Sequence, residues 1–219
     1  MSDRWASFDC YGTLVDWMAG IRCELARLWP DADPDALLES YHHLEPQVEA
    51  GSGIPYRQVM AETLARVADA AGLVVPADEQ DALGSSIPGW PVFPEVPAAL
   101  AELRRRGWRL AILSNTDADL LDASLLEINV PVDLRVVASQ IGSYKPEFGH
   151  WERFFAETGA DRDRQVHVAA SLFHDVAPAA ALGLRCVWIN RLGEQSDLPR
   201  AAMLADLAAL PDTLEALVP

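Results

Sequence analysis

The sequence predicts an α/β protein, a doubly wound parallel sheet with a block of helices inserted after its first strand. Three observations predict it. From residue 97 onward, short apolar segments alternate with stretches of helical periodicity, as in a parallel sheet with crossover helices. Residues 16 to about 86 carry helical periodicity alone. The 219 residues, half of them hydrophobic, suffice for one domain with a large insertion or for two small ones. Residues 1–15 and 92–219 are therefore assigned to the sheet core, and residues 16–91 to a helical cap.

The elements follow in order. Trp5 to Phe8 is a short apolar strand that runs into Asp9, and the Gly12-Thr13 turn comes at once. Trp17, Ile21, Leu25 and Leu28 recur at helical spacing until Pro30 stops the run. Pro34 opens a second helix with Leu37, Leu38, Tyr41 and Leu44 on one face. Pro55 opens a third, on which Val59, Met60, Leu64 and Val67 are periodic and Gly72 is placed to close the last turn. Asp78 to Ser86 forms a short fourth. Ile87 to Pro94, with three prolines in eight residues, reads as a linker or substrate-facing loop. Pro97 starts a helix that ends at Gly107, and Trp108 to Leu113 is a strand, apolar except for Arg109, that ends in Ser114-Asn115-Thr116-Asp117. Helices at 117–127, 147–158 and 175–182 then alternate with strands at 134–138, 165–170 and 185–190, and the C-terminal residues read as helix.

Composition excludes several function classes. The net charge is -16, and the one basic run, Arg104-Arg105-Arg106, reads as the solvated last turn of a helix, so no nucleic-acid partner is expected. No segment approaches the ~20 apolar residues of a membrane span. The first four residues are polar, with no signal peptide, and Cys10, Cys23 and Cys186 are odd in number and lack metal spacing. A cytoplasmic location is expected. A homodimer through the cap or a sheet edge is compatible with the sequence, which does not demand it.

Four strand ends carry polar residues that a doubly wound sheet brings to one edge, where ligands bind. They are Asp9 and Thr13; Ser114 and Asn115; Lys145 after the third strand; and Ser171 and Asp175 after the fourth. A carboxylate at the first position is suited to act as a nucleophile that forms an ester and leaves the second half of the reaction to water. Lys145 is the only lysine, beside sixteen arginines. A chain that otherwise uses arginine has a reason to place one compact ammonium here, between Asp9 and Asp175, where it keeps the nucleophile charged.

The order Asp9-Cys10-Tyr11-Gly12-Thr13-Leu14, then Ser114-Asn115, then Tyr144-Lys145-Pro146, then Asp175, resembles the haloacid dehalogenase superfamily, and more narrowly its type II L-2-haloacid dehalogenases. The resemblance spans nearly the whole chain and implies a Rossmann-like core with a C1-type helical cap. Phosphatases of this superfamily resemble one another in a second aspartate two residues after the first, a general acid for the leaving group, where this chain has Tyr11. They also carry an acidic pair near the fourth strand that helps hold magnesium, and here one member is Ser171. Two unit charges ~4 Å apart repel by ~4 kcal/mol at an effective dielectric near ~20, so phosphoryl transfer to a carboxylate calls for a divalent cation. A halide leaves unprotonated, and its displacement needs neither acid nor metal.

The resemblance thus implies a hydrolase that converts a small 2-haloalkanoic acid to the 2-hydroxy acid without a cofactor. Asp9 is the implied nucleophile, Thr13 fixes its carboxylate, Lys145 orients it, and Asp175 supports Lys145 or the water. Ser114 is expected to hold the substrate carboxylate and Asn115 to lie near the departing halide; Tyr11, Ser171, His174 and Trp151 complete the expected substrate contacts. His174 is also a candidate base for ester hydrolysis, and Trp90 and Phe93 are candidates for an apolar halide pocket. The chain departs from the family pattern in lacking a cap arginine, for which His42 or His43 is the candidate replacement, and in having Ala170 and Leu172 where the family has serine and asparagine. Trp151 takes the place of a family tyrosine. The alternatives are a magnesium-dependent phosphatase or phosphonatase-like hydrolase and, outside the enzymes, a binding relative without turnover.

Overall fold

The computed structural model describes residues 3–50 and 53–219. Met1 and Ser2, the start of the polar N-terminal segment, and Gly51 and Ser52 lie outside the described residues. Six strands, β1 (Arg4–Phe8), β2 (Trp108–Ser114), β3 (Leu134–Val137), β4 (Gln165–Ala169), β5 (Cys186–Ile189) and β6 (Ala202–Leu204), form one sheet in the order β3-β2-β1-β4-β5-β6. Every pairing is parallel. The chain winds from β1 out to β3 on one side and returns to β4 on the other, so the topology switches at β1. Phe8 aligns with Ile112 of β2 and Val168 of β4, which brings the carboxyl ends of three strands together around Asp9.

Helices cover both faces, and for that reason β1, β2 and β4 read as nearly unbroken buried runs. Between β1 and β2 lie α1 (Trp17–Leu28), α2 (Pro34–Glu49), α3 (Tyr56–Ala70) and α4 (Ala82–Ser86), followed by a 3₁₀ turn at Ile87–Gly89. Asp16 caps α1 by accepting the Ala19 N–H at 3.0 Å, and Asp33 caps α2, with Pro34 in its first turn. α5 (Val96–Arg105) completes the β1–β2 connection, α6 (Ala118–Ile128) joins β2 to β3, α7 (Ala138–Ile141) and α8 (Gly149–Thr158) join β3 to β4, α9 (Ala177–Ala181) joins β4 to β5, and α10 (Leu210–Leu217) follows β6, which β5 reaches without a helix. One apolar cluster runs from Phe8 and Leu14 through Ile21 and Leu25 into Leu64; a second, on the other face, joins Trp5, Leu113, Trp151, Phe154 and Trp188. Among the described residues no helix is long and apolar enough to cross a membrane.

The helical block docks on the core through Asp117, just ahead of α6. Its two carboxylate oxygens accept the N–H groups of Tyr56 and Arg57 at 3.0 and 2.8 Å, so a core side chain caps the first turn of α3. The Tyr144 hydroxyl donates to the Ile54 carbonyl at 2.7 Å beside it.

Three elements differ from the sequence expectation, among them the short helix α7, whose first residue the sequence assigns to a strand. The C-terminal region contributes β6 before its helix; three residues, Ala-Met-Leu, are too short to display a strand period, and pairing with the edge of β5 makes them a strand. A π-helical turn at Leu172–Val176 precedes α9. Trp90, expected near a ligand, is buried instead: its ring lies so close to Gly20 of α1 that a β-carbon there would fall 2.4 Å from the indole. We predict that Gly20→Ala lowers the unfolding free energy by about 1–3 kcal/mol despite the better helix propensity of alanine, as read by urea titration.

Candidate active site

The site is built on the ends of β1, β2 and β4. Asp9 follows β1, and its backbone N–H is held by the Val168 carbonyl at 3.1 Å. The Thr13 hydroxyl accepts the Ala170 N–H at 2.9 Å, so its own hydrogen is committed to Asp9 Oδ2 at 2.8 Å. The other oxygen, Asp9 Oδ1, accepts from Lys145 Nζ at 2.9 Å, and the same ammonium donates to Asp175 Oδ1 at 2.7 Å. Lys145 is 1% exposed. Burial disfavours its charge, but Asp175 and Asp9 outweigh that, and its pKa is raised. Burial likewise works against the Asp175 carboxylate; Lys145 and His167 overcome it and hold its pKa far below the ordinary range.

Lys145 is positioned through its backbone. Asn115 Oδ1 accepts the Lys145 N–H at 2.6 Å, and Asn115 Nδ2 donates to the Lys145 carbonyl and to Glu49 Oε1, each at 2.9 Å. Both amide hydrogens of Asn115 are thereby used. It clamps the lysine loop and meets the cap, where the sequence reading had it serving a departing halide.

Behind Asp175 lies a buried polar line. Gln165 Nε2 donates to Ser7 Oγ at 2.8 Å, Ser7 Oγ lies 2.9 Å from His167 Nδ1, and His167 Nε2 lies 2.9 Å from Asp175 Oδ1. Since Gln165 donates, the Ser7 hydrogen goes to Nδ1, and the imidazole hydrogen is on Nε2, facing the carboxylate. Asp175 Oδ1 is thus saturated, while Oδ2 has no hydrogen-bond partner.

These groups line a cavity of about 520 Å³ between the strand ends and the helical block. Asp9, Lys145, Asp175, Ser114, Asn115, Ser171 and His174 all border it. The Ser114 hydroxyl is buried there without a partner. Ser171 Oγ caps the π turn by accepting the His174 N–H at 3.0 Å. His174 Nε2 lies 3.5 Å from Glu49 of α2; burial lowers the pKa of this histidine, but Glu49 more than compensates and it is raised. Tyr11 borders the cavity, yet its hydroxyl points to α6, 3.0 Å from Ser124 Oγ. Of the two cap histidines His42 borders the cavity and His43 does not, and Phe93 borders it while Trp90 does not.

Trp151 is a correction. It is 1% exposed, lies outside the cavity lining, and packs edge-on against the His167 ring at 5.3 Å. Position 151 lies on the buried face of α8, and the second apolar cluster claims it.

Sequence reasoning missed His167, Glu45, Glu49 and Arg191. The signal for His167 was present: Gln165 and His167 are polar residues two apart on one face of a buried strand, which calls for partners. Arg191, after β5, donates to the Thr13 carbonyl and to Glu95 at 2.7 Å each and stacks over Phe93, bracing the turn that carries the nucleophile. Glu45 accepts from Tyr56 at 2.5 Å and Tyr41 at 3.3 Å. Burial pushes its pKa up to about 7, against the Tyr56 hydrogen bond.

The Lys145 ammonium bridges one oxygen of Asp9 and one of Asp175 and balances their charge. Among the described residues no group of three or more His, Cys, Asp or Glu is arranged to hold a metal.

Two outcomes are expected. Lys145→Met leaves two carboxylates facing each other without a counter-charge and costs about 3–5 kcal/mol of stability in chemical denaturation. Glu45 has a raised pKa in the folded state, so its contribution is fully present below about pH 4.5 and is lost as pH rises through about 7. Between pH 5 and 8 the wild type therefore loses about 2–3 kcal/mol relative to Glu45→Gln, measurable as diverging melting temperatures.

The profile of the haloacid dehalogenase-like hydrolases matches residues 4–183. The (S)-2-haloacid dehalogenase of Pseudomonas sp. (strain YL) is 27% identical over 204 residues, covering 85% of this chain and 82% of that protein. The (S)-2-haloacid dehalogenase 1 of Pseudomonas sp. (strain CBS-3) is 26% identical over 215 residues, covering 94% of each. The solved structure of L-2-haloacid dehalogenase from Xanthobacter autotrophicus with chloropropionic acid covalently bound superposes with a TM-score of 0.86 at 18% identity, over 97% of this chain and 98% of that one.

Proposed function

This chain belongs to the haloacid dehalogenase-like hydrolase family, and from that premise we propose that it hydrolyses the carbon–halogen bond of a 2-haloalkanoic acid through an ester on Asp9. One observation carries the reading. The nucleophilic carboxylate is paired with an ammonium that also holds Asp175, and the residue standing where a phosphatase has its leaving-group acid turns its hydroxyl away to Ser124. The position from which a phosphatase protonates its leaving group offers no acid here, which suits a halide. Kinship with two curated (S)-2-haloacid dehalogenases over more than four-fifths of the chain supports the same reading.

In the first step a carboxylate oxygen of Asp9 attacks the carbon bearing the halogen from the opposite side. The new C–O bond forms as the halogen leaves with the bonding pair. Thr13 and Lys145, one on each oxygen, hold the carboxylate in line, and Ser114, its hydroxyl buried and without a partner, donates to the substrate carboxylate. In the second step water attacks the ester carbonyl carbon of Asp9. The Lys145 ammonium, already within reach of that group, stabilises the oxyanion that develops. The acyl–oxygen bond then breaks, the 2-hydroxy acid leaves with a proton, Asp9 keeps one oxygen from water, and a second proton is released. The partnerless Oδ2 of Asp175 is placed to orient the attacking water.

A single turnover of 2-bromopropanoate in heavy-oxygen water puts one labelled oxygen into the peptide carrying Asp9, as read by mass spectrometry. Asp9→Asn loses at least about 10⁴-fold in halide release, and a chelator leaves the wild-type rate unchanged. Magnesium-dependent phosphate release from phosphate esters, with no halide release, overturns the reading in favour of a phosphatase.

A further inference from the structure

We propose that the substrate is a 2-halo acid with a large apolar side chain, and that Phe173 and Leu192 at the mouth of the cavity bind that side chain. The inference rests on the dehalogenation proposed above and names the substrate class of the same site.

Volume is the first argument. Chloroacetate has five heavy atoms; at the ~30 Å³ a water occupies, they fill about 150 Å³. The cavity measures about 520 Å³, in the range of about 300–1,000 Å³ that encloses much larger ligands. Most of the space around a haloacetate would remain unfilled.

The lining is the second. Above the strand ends the lining combines the polar groups of the cap with an apolar strip formed by Met18, Phe93, Leu172, Phe173, Ile189 and Leu192. Phe173 is 59% exposed and Leu192 is 63% exposed. Large apolar side chains left in water at the rim of a cavity mark a surface that a ligand covers. Phe173 sits in the π turn that also carries His174 and Asp175, and Leu192 follows Arg191 in the loop after β5. The two therefore rise from the elements that hold the reacting groups, and a chain anchored by its carboxylate at Ser114 reaches outward between them.

Charge is the third. The cap helix α2 contributes His42, Glu45, Pro46 and Glu49 to the lining, and no residue of fixed positive charge. Among the described lining residues Lys145 and Arg191 are the fixed cations, and both are already paired, Lys145 with Asp9 and Asp175, Arg191 with Glu95. The acid's carboxylate meets no unpaired cation here. Beyond the Ser114 anchor, affinity is gained from apolar contact, which grows with the side chain at about fourfold in kcat/KM for each methylene fully buried.

The test is a series of racemic 2-bromo acids (acetate, butanoate, hexanoate, octanoate and 3-phenylpropanoate) read by bromide release. The expected result is a kcat/KM for the hexanoate roughly 50-fold or more above that of the acetate. The ratio of octanoate to butanoate kcat/KM should fall roughly tenfold in Phe173→Ser and in Leu192→Ser. A ratio within one enzyme is insensitive to a variant's active fraction, so partial misfolding cannot imitate this effect. Bromoacetate as the best substrate, or an octanoate-to-butanoate ratio unmoved by both substitutions, overturns the proposed side chain while leaving dehalogenation standing. Bromide from none of the acids overturns the dehalogenase reading and the proposal with it.

Discussion

Everything at the reaction end of this molecule is arranged around one buried ammonium. Lys145 Nζ sits 2.9 Å from Asp9 and 2.7 Å from Asp175. Without it, two carboxylates in a low-dielectric setting oppose each other, and one must give up its charge or move apart. With it, the two carboxylates share one counter-charge. A buried charge of this kind persists only when its surroundings over-determine it. Asn115 pins the lysine backbone from both sides, Thr13 takes the far oxygen of Asp9, and His167 shares the oxygen of Asp175 that the ammonium uses.

That arrangement explains where the chain places its other polar groups. A histidine, a serine and a glutamine buried inside a parallel sheet are costly unless each donor finds an acceptor. The line from Gln165 through Ser7 and His167 meets that condition and ends on Asp175. Its far end is a buried amide, so it braces the carboxylate and has no outlet for protons. On the opposite wall the cap contributes acids. Glu49 meets Asn115 and His174, and Glu45 is sheltered between two tyrosines. The cap is thus coupled to the same loops that hold the lysine, and its contact with core side chains is polar as well as apolar.

The sequence was legible where one residue type has one reason to be present. The sole lysine, the Asp9-to-Thr13 turn and Asp175 after the fourth strand could be placed on one sheet edge before any coordinates, since a doubly wound sheet brings those strand ends together. Strands β1 to β5 and the helices between them other than α7 were readable from apolar runs and proline positions. Trp151 and Trp90 were not, because an aromatic residue carries the same signature whether it lines a cavity or fills a core; only the neighbouring surfaces decide. Asn115 borders the cavity, and its further task of clamping the lysine loop is not legible in the sequence for a related reason. Its amide type was right for the site, and its partners were the backbone of a loop thirty residues away.

The sequence by itself determined the α/β class with its inserted helices and the meeting of Asp9, Lys145 and Asp175 at one sheet edge, because local periodicity, turn residues and the order of the strand ends are properties of the chain taken one segment at a time. Tertiary structure alone decided which oxygen of Asp175 is held and which is left without a partner, that the wall facing Asp9 is acidic and apolar, and that the cavity is several times larger than a haloacetate. Those are properties of surfaces brought together from distant segments, and their geometry is fixed only when burial forces each polar atom to find a partner.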